Sequence, residues 1–254
     1  MSFDLSGRVA LVTGASGGIG QAIAIDLAAV GAKVAVNYLS NQEGAEETIR
    51  IIQEQGGEAI KIQADVTDLD QIEALAAKVE EELGTVDILV NNAGHLVERR
   101  KIEEMTMDLW RNIIDVNITS AAFMSKAVIP GMKEKGSGII INLSSVAAHD
   151  GGGPGAVPYA TTKGAIITFT KGLAKELAPS GIRVNALSPG FVDQTKFHAT
   201  FNTEEGRKAT VTRIPLGRGG VPKDISGAVL FLTSPYASYI TGETIEINGG
   251  MFMK

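Results

Sequence analysis

A tyrosine and a lysine with the spacing of a proton-transfer pair stand in the second half of the chain. Tyr159 and Lys163 are four residues apart in a stretch of helical periodicity, so their side chains project from one face. A tyrosine hydroxyl can protonate the alkoxide that forms when hydride reaches a carbonyl carbon, although its ordinary pKa of about 10 is poorly matched to neutral pH. A neighbouring ammonium stabilises the phenolate and lowers that pKa. The pair therefore predicts acid–base chemistry; an ordinary solvated Tyr/Lys pair is the alternative.

Two further polar side chains are candidates for the same reaction. Ser145 ends a strand-like run and can hold a substrate oxygen against Tyr159, while Ser144 is the competing candidate on the other side of an extended chain. Asn117 lies on the apolar stripe of its helix, where a buried amide must find hydrogen-bond partners, most simply in nearby backbone. We expect Ser145 at the reaction centre and Asn117 in the interior.

A glycine-rich segment at residues 13–20, TGASGGIG, has the composition of a phosphate-binding loop. Its glycines permit positive φ and close approach of a ligand, and the free N–H groups of the following helix attract phosphate. A tight turn without a ligand is the alternative. The spacing is G-x-x-x-G-x-G, but the position between a first strand and a first helix is the one that dinucleotide binding requires.

Apolar runs alternate with amphipathic segments along the chain. Strands are predicted at residues 8–13, 33–37, 58–64, 87–90, 138–143, 183–187 and 244–247. Helices are predicted at residues 19–30, 43–55, 69–83, 107–135, 159–178 and 223–232. This alternation predicts an α/β fold with a doubly wound parallel sheet, the Rossmann fold. Residues 1–254 are expected to form one domain, with a mobile substrate lid in the aperiodic stretch at about 190–220.

The order of these motifs resembles that of the classical short-chain dehydrogenase/reductase family. Besides the glycine loop, the matching motifs are Asp65-Val66, Asn91-Asn92-Ala93-Gly94, Asn117, Ser145, Tyr159-x-x-x-Lys163 and Pro189-Gly190. They follow successive strands or lie on the helices between them, and the resemblance covers almost the whole chain. It implies a nicotinamide-dependent oxidoreductase that acts on a carbonyl or a secondary alcohol.

The resemblance also implies a role for each matching residue. The catalytic residues would be Asn117, Ser145, Tyr159 and Lys163, with Asn117 holding a water that joins Lys163 to solvent. The cofactor-binding residues would be Gly14, Ser16, Gly18, Ile19, Gly20, Tyr38, Ser40, Asp65, Val66, Asn92, Ala93, Gly94, Tyr159, Lys163, Pro189, Gly190, Val192 and Thr195. A dinucleotide sensor without turnover is the alternative from another class, and the complete catalytic set argues against it.

The chain departs from the family pattern in four ways. Where members that prefer NAD(H) carry Asp at the end of the second strand, this chain has Tyr38, so NADP(H) is favoured and NAD(H) stays possible. The usual arginines for a 2′-phosphate are missing as well. Ser145 and Tyr159 are 14 residues apart, one more than is common, and a glycine-rich loop can absorb the extra residue. Gln194 takes the place of the threonine that bonds the nicotinamide carboxamide, so Thr195 is one residue out of register.

The three histidines are candidates for substrate contact. His95, His149 and His198 follow different motifs whose segments should meet at the carboxyl ends of the strands. A loop histidine is more often a solvated surface group. Their spacing does not match a local metal motif, so no metal site is expected.

Composition narrows the range of partners. A net charge of −6 gives no basic field for nucleic acid, and no apolar run approaches the roughly 20 residues of a membrane span. The N-terminus shows no signal peptide, and a cytoplasmic location is expected. Like the family, the chain is expected to form a homotetramer.

The substrate is open between two classes. A small polar ketone or sugar-derived carbonyl is preferred, because the loop at residues 149–165 resembles that of such relatives and Arg99 or Arg100 could anchor a carboxylate. The alternative is a 3-oxoacyl group on acyl carrier protein, whose acidic surface calls for a basic rim.

Overall fold

The chain folds around a parallel sheet, as the alternation of its segments predicts. The structure is a computed structural model that describes residues 3–193, 195, 200 and 203–253. The strands are β1 Val9–Val12, β2 Lys33–Tyr38, β3 Ala59–Gln63, β4 Ile88–Asn91, β5 Gly138–Leu143, β6 Ile182–Pro189 and β7 Thr244–Ile247. In the described part of the chain they form one seven-stranded sheet in the order β3-β2-β1-β4-β5-β6-β7, with every pair parallel.

Helices cover both faces of this sheet. They are α1 Gly18–Ala29, α2 Gln42–Glu54, α3 Leu69–Glu82, α4 Met107–Ile114, α5 Ser120–Lys135, α6 Ala147–Asp150, α7 Val157–Leu177, α8 Glu204–Val211 and α9 Pro222–Thr233. One buried core joins α1, α2 and α9 to the sheet, and a second joins α3, α5 and α7 to the opposite face. This arrangement confirms the doubly wound Rossmann architecture.

Strand order places the ligand crevice. The chain passes from β1 outward to β2 and β3, and then crosses back so that β4 pairs with β1 on its other side. In doubly wound sheets the carboxyl ends of the strands on either side of such a switch point open into the binding crevice. The loop after β1 and the loop after β4 therefore face each other across it.

Three predicted elements differ in detail. The helix predicted at residues 107–135 is interrupted by a π-helical turn at Asp115–Thr119 between α4 and α5. The helix predicted from Tyr159 begins two residues earlier, with Pro158 in its first turn, where a missing N–H costs no helical hydrogen bond. The stretch predicted to be aperiodic contains α8, and part of it, with Gln194 and His198, lies outside the described residues.

One helical segment has the length and composition of a membrane span. Among the described residues this is Met107–Lys135, contrary to the expectation that no segment would reach that length. Within the fold, its residues Met124, Val128 and Met132 are buried against the sheet. Core helices of globular domains meet the same criterion.

Candidate active site

The predicted acid–base pair lies on α7, at the carboxyl end of β5. Tyr159 shares a hydrogen bond with the hydroxyl of Ser145, which follows β5. Ser144 points away, because its hydroxyl donates to the backbone oxygen of Lys163 at 2.8 Å. The structure thus brings Ser145 to Tyr159 and gives Ser144 a structural role.

Lys163 is buried one helical turn beyond the tyrosine. Its ammonium donates to the backbone oxygen of Leu143 at 2.8 Å and lies 5.6 Å from the centre of the Tyr159 ring. Only 4% of the residue is exposed, and burial lowers the pKa of Lys163 to about 8. Lys163 is therefore mostly protonated at neutral pH, although its burial disfavours the charged form.

Burial also governs the tyrosine. It raises the pKa of Tyr159 to about 12, while the hydrogen bond with Ser145 acts in the opposite direction. For the protein groups alone, desolvation of the phenolate outweighs the hydrogen bond with Ser145, so the pKa shifts in the direction opposite to the predicted one. The lowering of this pKa by an oxidised nicotinamide stays a prediction. At neutral pH the side chain is a phenol, which is the proton-donating form.

Asn117 occupies the π-helical turn between α4 and α5. Its amide nitrogen donates to the backbone oxygens of His95 and Ile113 at 2.7 and 2.9 Å, and its amide oxygen accepts from the N–H of His95 at 3.1 Å. The residue is 1% exposed. The turn thus aims the amide at the loop after β4, in keeping with the frequent use of π-bulges at functional sites.

Gly94 lies next to the buried side chains of Asn117 and Lys163. A Cβ atom placed on Gly94 would stand 2.8 Å from the Asn117 amide oxygen and 2.8 Å from the Lys163 ammonium nitrogen. A side chain at residue 94 would clash with both groups, so glycine leaves the space beside them unfilled. The family motif Asn92-Ala93-Gly94 therefore has a steric basis in this chain.

The loop at residues 13–20 has the close packing expected of a phosphate loop. Gly14 and Gly18 have φ of 62° and 57°, in the left-handed region that favours glycine. A Cβ on Gly20 would stand 2.5 Å from both the Asn92 amide nitrogen and the Gly14 oxygen. Helix α1 begins without a side-chain cap or an acidic residue in its first turn, so its N-terminal dipole is available to an anion.

Two asparagine side chains, whose contacts the sequence did not predict, hold the backbone of this loop in place. Asn37, buried in β2, accepts from the Gly14 N–H at 3.2 Å and donates to the backbone of Ala64 at 3.1 Å. Asn41 donates to the Ser16 oxygen at 2.9 Å. A polar residue inside the apolar run KVAVNY is the one signal in the sequence that could have pointed to Asn37.

The loop after β4 is tied to the end of β1 by Thr13. The Thr13 hydroxyl accepts from the N–H groups of Asn92 and Ala93 at 3.1 and 3.0 Å, and the Asn92 amide donates to the Thr13 oxygen at 2.8 Å. Ala93 thereby packs beside Gly14, whose own Cβ position lies 3.2 Å from the Ala93 Cα. Hydrogen bonds therefore join the segment after β1 to the loop after β4 across the crevice.

A cleft of about 280 Å³ opens between the glycine loop and the segments after β2, β3 and β4. Its lining includes Gly14, Asn37, Leu39, Ala64, Asp65, Val66, Thr67, Ala93, Val97, Asn112, Asp115 and Val116. A groove of about 350 Å³ also lies between α3 and α5. It reaches Thr85 and Val86, which precede β4 and so lie at the amino-terminal ends of the strands, away from the crevice.

The predicted discriminator of the cofactor is placed differently from the expectation. Tyr38 is only 5% exposed and belongs to the core on the α1 face, whereas the exposed Leu39 lines the cleft. Ser40 is exposed beside it. Asp65 accepts from the N–H and the hydroxyl of Thr67 at 2.8 and 2.7 Å, so its carboxylate shapes the turn after β3.

Pro189-Gly190 ends β6 beside the C-terminal strand. The Gly190 N–H donates to the Ile247 oxygen at 2.9 Å, and a Cβ on Gly190 would stand 2.6 Å from Cβ of Asn248. Further on, the Thr195 hydroxyl donates to the Val192 oxygen at 3.1 Å. Its methyl group would be 3.7 Å from a Cβ on Gly18, so Thr195 lies over the start of α1. Gln194 lies outside the described residues.

Two of the three histidines have defined roles in the fold. His149 contacts Glu246 of β7 with its Nε2 at 2.8 Å and stacks on Phe252 at 4.5 Å between ring centres, so it links α6 to the C-terminal segment. His95 accepts from the Val97 N–H through Nδ1 at 2.8 Å, and partial burial lowers its pKa. His198 lies outside the described residues. Substrate contact by any of the three stays a prediction.

Comparison with known proteins agrees with this site. The family model described as Enoyl-(Acyl carrier protein) reductase matches residues 14–252. The 3-oxoacyl-[acyl-carrier-protein] reductase FabG of Vibrio cholerae serotype O1 is 45% identical over 255 residues, which cover 98% of this chain and 99% of the relative.

Two solved structures share the fold and were determined with cofactors. A 7α-hydroxysteroid dehydrogenase in complex with NADH and 7-oxo glycochenodeoxycholic acid has a TM-score of 0.93 at 34% identity, covering 98% of this chain and 96% of its own. A candidate NAD(P)-dependent gluconate 5-dehydrogenase from Beutenbergia cavernae with bound NADP has a TM-score of 0.91 at 37% identity, covering 99% of each chain.

The fold, the ordered motifs and these relatives define a nicotinamide-dependent oxidoreductase acting on carbonyl and alcohol groups. The chain belongs to the short-chain dehydrogenase/reductase family, and it is similar over nearly its full length to 3-oxoacyl-[acyl-carrier-protein] reductases.

Proposed function

We propose that this enzyme uses NADPH to reduce a small polar ketone to a secondary alcohol. The observation that carries the reaction is the bonded series Ser145–Tyr159 with the Lys163 ammonium behind the tyrosine ring. Ser145 holds the carbonyl oxygen, and the Tyr159 phenol gives its proton to that oxygen as the carbon is reduced. Lys163 stabilises the phenolate that remains, and proton exchange with solvent restores the phenol. Bound NADPH supplies the hydride.

The cofactor would lie across the switch point. The start of α1, with Gly18, Ile19 and Gly20, suits the pyrophosphate because its N–H groups carry no side-chain cap. The 280 Å³ cleft beside Asp65 and Val66 suits the adenosine. The nicotinamide would lie toward Tyr159, between the Pro189-Gly190 turn and the loop that carries Gly94, with Thr195 in place to reach its carboxamide.

The preference for NADP(H) rests on charge. Leu39, Ser40 and Asn41 follow β2, and none of them carries the carboxylate that would bind the ribose hydroxyls of NAD(H) and repel a 2′-phosphate. None supplies a positive charge either, so hydrogen bonds from the serine and the asparagine would be the contacts to the phosphate. NAD(H) would then be the weaker cofactor rather than an excluded one.

The preference for a polar substrate rests on the loops at the mouth of the site. The segment after Gly94 is bonded to the glycine-rich loop before α7: the Arg99 guanidinium donates to the Pro154 oxygen and the Arg100 N–H to the Gly155 oxygen, both at 3.0 Å. The second of these loops leads directly into α7, which carries Tyr159. Two cations of these loops pair locally, Arg100 with Glu98 and Lys101 with Glu103, which weakens the attraction of the loops for an acidic carrier protein.

The second candidate substrate is a 3-oxoacyl thioester. It is favoured by the 45% identity to the Vibrio cholerae reductase over nearly both full chains. Both candidates use the same hydride and proton transfer, so they differ only in the group that the mouth of the site accepts.

We further propose a single domain over residues 1–254 that assembles as a homotetramer and works in the cytoplasm. Three aromatic side chains near the edge strand β7 support assembly, because Phe231, Tyr236 and Tyr239 are all exposed. Exposed aromatic side chains are enriched at subunit interfaces.

A substrate panel tests the proposal. NADPH oxidation is followed by absorbance with sugar ketones, keto-uronates and diketones in one arm and acetoacetyl thioesters in the other, with the Tyr159→Phe variant as the control. We expect turnover of at least one polar ketone and a loss of at least about a hundredfold in the variant. Turnover of acetoacetyl thioesters alone would transfer the assignment to the second candidate, and near-normal turnover by Tyr159→Phe would overturn the mechanism.

A further inference from the structure

The segment after Gly94 contains a strained backbone turn with no glycine in it. Val97 has φ of 64°, and it is the one non-glycine residue with positive φ in the described part of the chain. The N–H of Glu98 donates to the Leu96 oxygen at 2.8 Å, so Val97 is the central residue of a γ-turn. The form of this turn with positive φ is rare and strained, and a β-branched side chain makes it more costly.

His95 supplies the contact that fixes this turn. Its Nδ1 accepts from the Val97 N–H at 2.8 Å, so the neutral ring carries its proton on Nε2. The backbone of His95 is itself fixed, because its N–H and its oxygen are both bonded to the Asn117 amide. Leu96, 2% exposed, anchors the next residue in the interior. The chain therefore has little freedom until Glu98.

The turn places Val97 over the cofactor cleft. Val97 lines the 280 Å³ cleft, together with Ala93 from the same loop and with Asp115 and Val116 from the π-helical turn. In an unstrained turn the side chain would leave this position, because a change from positive to negative φ re-aims Cβ. Strain that is maintained by specific bonds at a ligand cleft points to a role in binding.

We infer that His95 is a positioning residue for the cofactor: through its bond to Val97 it holds that side chain across the adenosine part of the cleft. This inference rests on the proposed cofactor site and adds a specific task for a residue that the sequence made a candidate for substrate contact. His95 therefore contacts the Asn117 amide through its backbone and the wall of the adenosine cleft through its imidazole.

The test uses ADP as the probe, because ADP fills the adenosine and pyrophosphate sites and needs neither a ketone nor a 2′-phosphate. His95→Leu removes the acceptor and His95→Asn keeps one, since an asparagine oxygen can accept from the N–H two residues later. Val97→Gly relieves the strain and removes the side chain. The dissociation constant of ADP is measured by calorimetry, and folding is checked by thermal unfolding.

We expect His95→Leu and Val97→Gly to weaken ADP binding by about threefold to tenfold, the size of one neutral hydrogen bond, and His95→Asn to stay within about twofold of the wild type. The KM for NADPH should rise in His95→Leu while kcat at saturating NADPH changes less. Unchanged ADP binding in His95→Leu or in Val97→Gly would overturn the inference, as would His95→Asn binding as weakly as His95→Leu. If His95→Leu does not fold, the Val97→Gly arm decides. Absence of ADP binding by the wild type would instead overturn the proposed cofactor site.

Discussion

The Asn117 amide oxygen and the Lys163 ammonium nitrogen both border the space that a side chain on Gly94 would fill. Each is 2.8 Å from the point at which a Cβ of residue 94 would stand. Asn117 comes from a π-helical turn and Lys163 from α7, and both are buried. The loop after β4 therefore leaves the space beside two buried polar groups unfilled by having no side chain there.

Gly94→Ala should abolish most of the activity without unfolding the enzyme. The added Cβ must displace the Asn117 amide or the Lys163 ammonium, because 2.8 Å is shorter than real Cβ contacts. We expect kcat to fall by roughly tenfold or more, as misplacement of catalytic groups does. Gly227→Ala in α9 is the matched control: it meets no atom within 4 Å and should gain about 0.5–1 kcal/mol in stability. Wild-type kcat in Gly94→Ala would contradict the role of this gap.

The rate of ketone reduction should fall as the pH rises through about 8. Burial lowers the pKa of Lys163 to about 8, so its ammonium is present below that pH and is lost above it. Tyr159, whose pKa burial raises to about 12, stays protonated over the same range and can still donate its proton. A profile of kcat/KM between pH 6 and 10 at constant ionic strength measures this. A rate of reduction that rises through that range would show the opposite sign.

Alcohol oxidation should respond to pH in the opposite direction. The reverse reaction needs the phenolate of Tyr159, and a phenol with a pKa of about 12 is almost fully protonated at neutral pH. We expect kcat/KM for the alcohol to increase with pH up to about 8, above which loss of the Lys163 ammonium opposes the gain. Measuring both directions on one enzyme preparation separates this effect from a general loss of stability.

Cofactor preference should respond to Leu39 rather than to Tyr38. Leu39 lines the cleft, whereas Tyr38 is buried in the core, where an aspartate would lack a partner and destabilise the fold. We expect the wild type to favour NADPH and Leu39→Asp to move the ratio of kcat/KM toward NADH by roughly tenfold. Leu39→Asn is the neutral control and should change the ratio less. A wild-type preference for NADH of about tenfold would refute the proposed cofactor.

The exposed tyrosines that precede β7 should hold subunits together. Tyr239 projects fully into solvent next to β7, and Tyr236 is exposed beside it. We expect light scattering to give about four times the 26.6 kDa of one chain, and Tyr239→Asp to reduce that mass. Gln53→Arg, an exposed change on α2, is the control and should not alter the mass. A wild-type mass near 26.6 kDa would exclude the tetramer.

Local patterns in the sequence determined most of the fold. Apolar runs and helical periodicity predict every strand of the described sheet, and β7 has the predicted bounds of Thr244–Ile247. Such patterns depend on which face of a segment is buried, which neighbouring residues reveal. Motif order then placed Ser145, Tyr159 and Lys163 at strand ends and on one helix, so their proximity was predictable once the sheet was parallel.

Tertiary structure decided what depends on residues far apart in the chain. The bonds from Asn117 to His95 span 22 residues and the contact of His149 with Glu246 spans 97, so periodicity cannot reveal either. The packing of β2 against α1 decided which side chain at the end of this strand faces the cleft. It placed Leu39 in the cleft and Tyr38 in the core. The direction of the pKa shift of Tyr159 likewise required its burial, because desolvation is a property of the whole surrounding fold.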